Sequence, residues 1–182
     1  MNYYGAKELA ASFRTVRKNT ITIAEEIDEK HYVFRATPQT RSIAETLLHI
    51  TLAPGIQEHV QGKKLATLEG FNFAELFLPM LETEKKPHTK AQILEGLKDR
   101  GERFARFLEG LTDEFLGERV TMPSGMTPAS KTRFEMLLGV KEHEMHHRGQ
   151  LMLLERMVGV VPHLTRQMEA RMAEMMKQKA GA

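Results

Sequence analysis

The run Lys141-Glu142-His143-Glu144-Met145-His146-His147-Arg148-Gly149-Gln150 places three histidines within five positions. His143 and His147 are four residues apart. Four residues advance a helix by about 400°, so the two imidazoles stack on one face about 6 Å apart, within reach of one metal ion. Two ligands do not complete a site, and the source of the third decides the chemistry. The same run satisfies the His-Glu-x-x-His pattern of zinc proteases, with Glu144 as general base. That alternative fares poorly further along the chain. Arg148, Gly149 and Gln150 do not continue a metzincin spacing, and Glu169, at a loosely suitable distance, lies beyond Gly159 and Pro162 on a separate helix. Such proteases also hold peptide on an edge strand, and no convincing strand pattern occurs here.

His49 stands in the apolar run Leu47-Leu48-His49-Ile50. A buried imidazole without a polar partner costs a few kcal/mol. His49 is therefore either a core histidine bonded to a carbonyl or the missing third ligand, since ligands from facing helices converge in bundle cores. His146 falls to one side of the His143–His147 pair and reads as a partly exposed neighbour able to carry a proton. Glu142 and Glu144 bracket His143, so both point away from it and are expected at the surface, although either type could orient a ligand imidazole through its second nitrogen. His146 and Glu144 are the catalytic candidates. His31, His59, His88 and His163 are expected in solvent.

The elements that must position these residues are helical. From Tyr3 to about Ile27, apolar residues recur at Leu9, Phe13, Val16, Ile23 and Ile27 with helical spacing. Ser42-Ile43-Ala44-Glu45 has the form of a capping box and opens a second helix through Leu52, which Pro54-Gly55 should kink before it resumes to Val60. A short helix is predicted over 72–84 with Asn72 as its cap. Thr89-Lys90-Ala91-Gln92 opens another, to about Leu108. Thr112 to Leu116 adds a turn. Gly117 to Pro128 reads as an irregular connection in which Val120-Thr121-Met122 is briefly extended, without a partner to make a sheet. Ser130 or Thr132 caps the histidine-bearing helix, which runs to Val158 before Gly159. Thr165 to about Lys177 forms a terminal helix along which Met168, Met172, Met175 and Met176 are spaced; these either pack on their own core or meet a second copy. The spacing predicts an all-α four-helix bundle over 1–162 with a helical extension over 163–182.

The totals agree with one domain. The chain has 182 residues, 12 methionines and no cysteine, so any metal must be held by nitrogen and oxygen. A formal net charge of +2 with both signs interspersed argues against a nucleic-acid partner. No apolar run reaches the roughly 18 residues of a membrane span, and the first residues lack a signal-peptide pattern. A cytoplasmic protein acting on small molecules is expected.

Two segments carry a resemblance. Ser42-Ile43-Ala44-Glu45-Thr46-Leu47-Leu48-His49-Ile50, followed by His143-Glu144-Met145-His146-His147-Arg148-Gly149-Gln150-Leu151, resembles the DinB family of metal-binding four-helix bundles, which is related to the YfiT-like metal-dependent hydrolases. Arg156-Met157-Val158-Gly159-Val160-Val161-Pro162 is similar to the family's ending of that helix. The resemblance implies a divalent metal, zinc or nickel, on His49, His143 and His147. It also implies a metal-dependent enzyme of the thiol S-transferase or hydrolase type, using a low-molecular-weight thiol in the former case. The alternatives are a non-catalytic metal-binding stress or interaction protein, and a protein whose histidines are structural and bind no metal. A homodimer is expected on separate grounds: bundles of this length often leave one apolar helix face uncovered, and the methionine-bearing terminal helix offers the contact.

Overall fold

A computed structural model describes residues 4–180. Helix α1 (Ala6–Glu26) is followed by a single 3-10 turn, then α2 (Ile43–Leu52), α3 (Pro54–Gly62), α4 (Ala74–Glu84), α5 (Lys90–Glu109) and α6 (Asp113–Gly117). Strands β1 (Arg119–Thr121) and β2 (Ser130–Thr132) lead into α7 (Arg133–Met157) and α8 (His163–Ala180). Four rods form the bundle: α1, α5, α7 and the broken rod α2–α3. Helix α1 packs on α5 and α7, while α2 packs on α5, α4 and α7. The protein is an all-α bundle, as its periodicity predicts.

Local chemistry sets most boundaries. Ser42, Thr89 and Thr132 each accept a hydrogen bond from the amide three residues on, and Glu45, Gln92 and Glu135 reciprocate. Proline at the first position of α3 has no amide to donate, so the rod breaks there and re-forms at once. Gly159 takes φ +88° after α7, a conformation other residues resist.

Some boundaries differ from expectation. The predicted start at Tyr3 lies outside the described residues, and α1 opens at Ala6. Asn72 does not cap α4; Phe73 occupies that position, and the Asn72 amide instead donates to Glu75 at 2.8 Å. The stretch around Val120 does find a partner. β1 pairs antiparallel with β2, Val120 opposite Lys131, so a two-stranded hairpin closes the long connection against α7. Thr132 both ends β2 and caps α7.

The apolar core falls into two main clusters along the bundle. One gathers Leu9, Phe13, Phe104, Leu108, Leu137 and Val140; the other gathers Ile23, Ile27, Ile43, Leu47, Leu97, Leu151 and Leu154. On α1 and α7 the residues between them are Arg17 and Glu144, a fully enclosed ion pair at 2.9 Å. A smaller cluster of Val60, Leu68, Val120 and Met136 lies under the hairpin. Met168, Met172, Met175 and Met176 on α8 are exposed, so of the two arrangements the sequence left open for them, packing on their own core is not the one observed. Among the described residues no helix is long and apolar enough to cross a membrane.

Candidate metal centre

His49 lies two turns into α2 and faces α7, where His143 and His147 occupy consecutive turns. The three rings meet edge to face or tilted, with centroids 4.5 to 4.8 Å apart. His49 Nε2 lies 3.0 Å from His143 Nε2, and His147 Nε2 lies 3.2 Å from the same atom. His49 and His147 are buried and His143 is half-buried. Among the described residues these are the only three metal-ligating side chains whose donor atoms all lie within 4.8 Å of one another.

The outward nitrogens fix the tautomers. His49 Nδ1 donates to Glu84 Oε1 at 2.6 Å, and Arg41 Nε donates to the other Glu84 oxygen at 2.9 Å. His147 Nδ1 donates to Gln150 Oε1 at 2.8 Å. With both Nδ1 atoms protonated, the inward Nε2 atoms of neutral rings are lone pairs. His143 Nε2 can offer a proton to only one of them, so at least one close nitrogen pair lacks a hydrogen. A shared cation resolves that conflict. Tetrahedral ligands about 2.0–2.1 Å from zinc stand roughly 3.3 Å apart, close to the spacing found. The donor set thus fits a divalent cation. Burial, followed by the facing His147 and His49, pushes the His143 pKa down to about 4. Burial also lowers that of His147 and outweighs the Gln150 bond. Both rings are therefore neutral ligands at physiological pH. Burial works against charge on Glu84, but the bonds from His49 and Arg41 prevail and hold its carboxyl below the usual range.

A family model described as the DinB superfamily matches residues 12–151, which span both histidine-bearing helices. The chain belongs to the DinB superfamily. It is similar to the uncharacterized protein YjoA of Bacillus subtilis, with 24% identity over 154 residues, covering 85% of this chain and 91% of YjoA. The crystal structure of that DinB-like protein superposes with a TM-score of 0.61 over 84% of this chain and 92% of the other. The likeness establishes the shared fold.

Against this DinB bundle the remaining candidate residues separate. Glu144, expected at the surface, is buried. It does point away from His143, but into the core, where both its oxygens accept from Arg17 and Oε1 also accepts from the Thr20 hydroxyl. A carboxylate so engaged on the far face of α7 is not placed to act as base at the triad, and Glu169 is exposed on α8. His146 is exposed, and its Nε2 accepts from the amide of Gln150, the residue that orients His147. Glu142 and His59 are exposed as expected, and His31 and His88 are partly so. His163, expected in solvent, is buried where α8 meets α1, with Nε2 3.3 Å from Asn19 Oδ1.

Sequence reasoning missed Glu84 altogether and gave no link between Arg41 and His49. Glu84 closes α4 in a charged run that reads as solvated surface, and nothing in its spacing links it to His49. Gln150 was detectable in principle, being three residues after His147 and so on the same face. Two cavities reach the triad. One, of about 600 Å³, touches His147 and Gln150 and is walled by Thr46, Arg41, Arg35 and Lys85. The other, of about 510 Å³, touches His143 and is mainly apolar.

Proposed function

We propose that His49, His143 and His147 hold one divalent cation, zinc or nickel, and that the protein is a metal-dependent enzyme acting on small molecules. The observation that carries this reading is the convergence of three Nε2 atoms whose Nδ1 protons, at His49 and His147, are already committed to Glu84 and Gln150. Three nitrogen ligands leave a divalent ion able to accept a further ligand. An ion so placed supplies Lewis-acid activation of a small nucleophile, water in a hydrolase or a low-molecular-weight thiol in an S-transferase.

The chain's own residues support that use. Glu84 keeps a negative charge beside His49 and strengthens it as a donor, and Gln150 holds the His147 ring in register. The cavity at His147 gives a polar nucleophile its approach, with Lys85, Arg41 and Arg35 along the wall. Arg41 is engaged by Glu84 and Arg35 by Glu45, which favours a polar co-substrate over a highly charged one. His146, exposed and linked through Gln150, is the group placed to take up or release a proton at its Nε2.

Protein produced without an affinity tag should bind one zinc or nickel ion per chain by calorimetric titration. His49→Ala should weaken that binding at least about a hundredfold, the upper effect expected for lost support of a ligand. Retention of wild-type affinity by the alanine variant would remove the proposed third ligand and the reading with it. Turnover of 1-chloro-2,4-dinitrobenzene with a panel of thiols, against hydrolysis of p-nitrophenyl acetate, separates transferase from hydrolase. A bound metal with neither activity assigns the non-catalytic binding role.

A further inference from the structure

The cavity beside His143 is unlike the rest of the site. Its wall comes from α3, α4, the β1–β2 hairpin and α7, and includes Ile56, Phe73, Phe77, Met122, Met126 and Gly139. Phe77 and Met126 are exposed large apolar side chains that also line this cavity. Its charged residues offer little recognition of charge: Glu135 is held by Thr132 in the cap of α7, and Lys131 lies in β2, partly exposed. A volume of about 510 Å³ lies within the range of small-molecule sites, which are predominantly apolar with few polar groups.

Gly139 is the telling residue. It sits in the interior of a 25-residue helix, where glycine is unfavourable relative to almost any other residue. It lies one turn before His143 and so on the same face. A Cβ built on Gly139 meets nothing within 4 Å, so no packing demand of the fold requires glycine there. Gly139 and His143 line the same cavity, so what glycine keeps clear at that position is cavity space one helical turn from His143.

We infer that the Gly139 cavity receives the apolar body of the substrate, a medium-length alkyl chain or an aryl group, with the reacting head directed at His143 and its two partners. The direction of the head rests on the metal reading; the apolar pocket stands without it. Methionine and phenylalanine walls suit such a body, because thioether side chains adapt to irregular apolar shapes and make favourable contacts with aromatic rings.

The test compares wild-type protein with Gly139→Leu and with Gly149→Leu. Gly149 is on the same helix, exposed, outside the cavity, and likewise has open space at its Cβ. Leucine is the better helix former, so both variants should fold. In metal-free protein the neutral fluorophore N-phenyl-1-naphthylamine should bind saturably to wild type and to Gly149→Leu, and at least about tenfold more weakly to Gly139→Leu, given the apolar area that leucine displaces. Equal binding to all three proteins, as from a site on the exposed methionines of α8, or no saturable binding at all, overturns the pocket. In zinc-loaded protein, octanohydroxamic acid should bind at least about tenfold more tightly than acetohydroxamic acid, because burying added methylenes is favourable, and Gly139→Leu should erase that difference. Chain-length independence in wild type overturns the placement of the head at the triad. Failure of both hydroxamates together with failure of zinc binding sinks the metal reading and leaves the fluorophore result standing on its own.

Discussion

At the scale of single residues, the His143–His147 pair was legible because helical spacing is rigid, whereas His49 was joined to it only by the resemblance to the DinB family. Two histidines four apart must share a face, and a lone histidine in an apolar run must find a partner. The carboxylate that completes the arrangement was not legible, because the contact between His49 and Glu84 joins residues 35 apart across two helices and depends on how α4 lies over α2. Glu84 should matter nearly as much as the ligands. Its carboxylate accepts the His49 proton at 2.6 Å and is itself fixed by Arg41, so it sets both the tautomer and the basicity of the ring. Glu84→Gln keeps an oxygen for Nδ1 but removes the charge and the Arg41 pair. Zinc affinity, measured by competition with a chromogenic chelator, should fall by about 10- to 100-fold. An affinity within twofold of wild type would mean that His49 needs no carboxylate partner.

Between elements, the same limit appears in a different form. The capping boxes and the proline break were readable because their partners lie within three or four residues. The hairpin was half readable: Val120 looked extended, but its opposite residue Lys131 stands in what reads as the approach to a helix cap. Glu144 was misread as solvated because a single helix period cannot distinguish a charge facing water from one facing a buried counter-charge, here Arg17, 127 residues away. Their pairing ties together the elements that hold the triad. Arg17 Nη2 donates to the carbonyl of Ile50, the residue after His49, and Nη1 donates to that of Leu97, while Glu144 follows His143. Gly101 makes room for the guanidinium stem, since a Cβ there would stand 2.8 Å from Arg17 Cγ. Removing one member leaves the other charged and buried, which costs about 3–5 kcal/mol, whereas a well-packed apolar pair is often neutral. Arg17→Met should therefore lower the urea-unfolding free energy of the metal-free protein by about that amount, and Arg17→Met with Glu144→Leu should recover most of it. A loss under about 1 kcal/mol in the single variant would show that this pair does not bear on the fold.

For the whole molecule, the fold and the order of its rods were legible, and the attachment of the last helix was not. Nothing in the terminal segment marks His163 as the residue α8 buries, because its partner Asn19 sits on α1, 144 residues earlier. That junction encloses Glu155, which is fully buried with neither carboxylate oxygen hydrogen-bonded. Burial, reinforced by Glu26 on α1, pushes its pKa up to about 7, while Arg166 on α8 and Arg156 on α7 act in the opposite direction. Because the folded-state pKa lies above the unfolded one, the protonated acid favours the fold. The stabilising contribution is complete below about pH 4.5 and is lost as pH rises through 7. A shift from 4.5 to about 7 corresponds to at most about 3 kcal/mol, which the neighbouring arginines reduce if they turn toward the ionised group. Glu155→Gln keeps the shape of the neutral acid and cannot ionise. Its melting temperature should exceed that of wild type by several degrees at pH 8, and the two should converge near pH 4.5. The gap must open between those values. Parallel melting curves across the whole range, or a variant less stable at pH 8 than at pH 5 relative to wild type, would place the ionised form of Glu155 in the native junction and reverse this assignment.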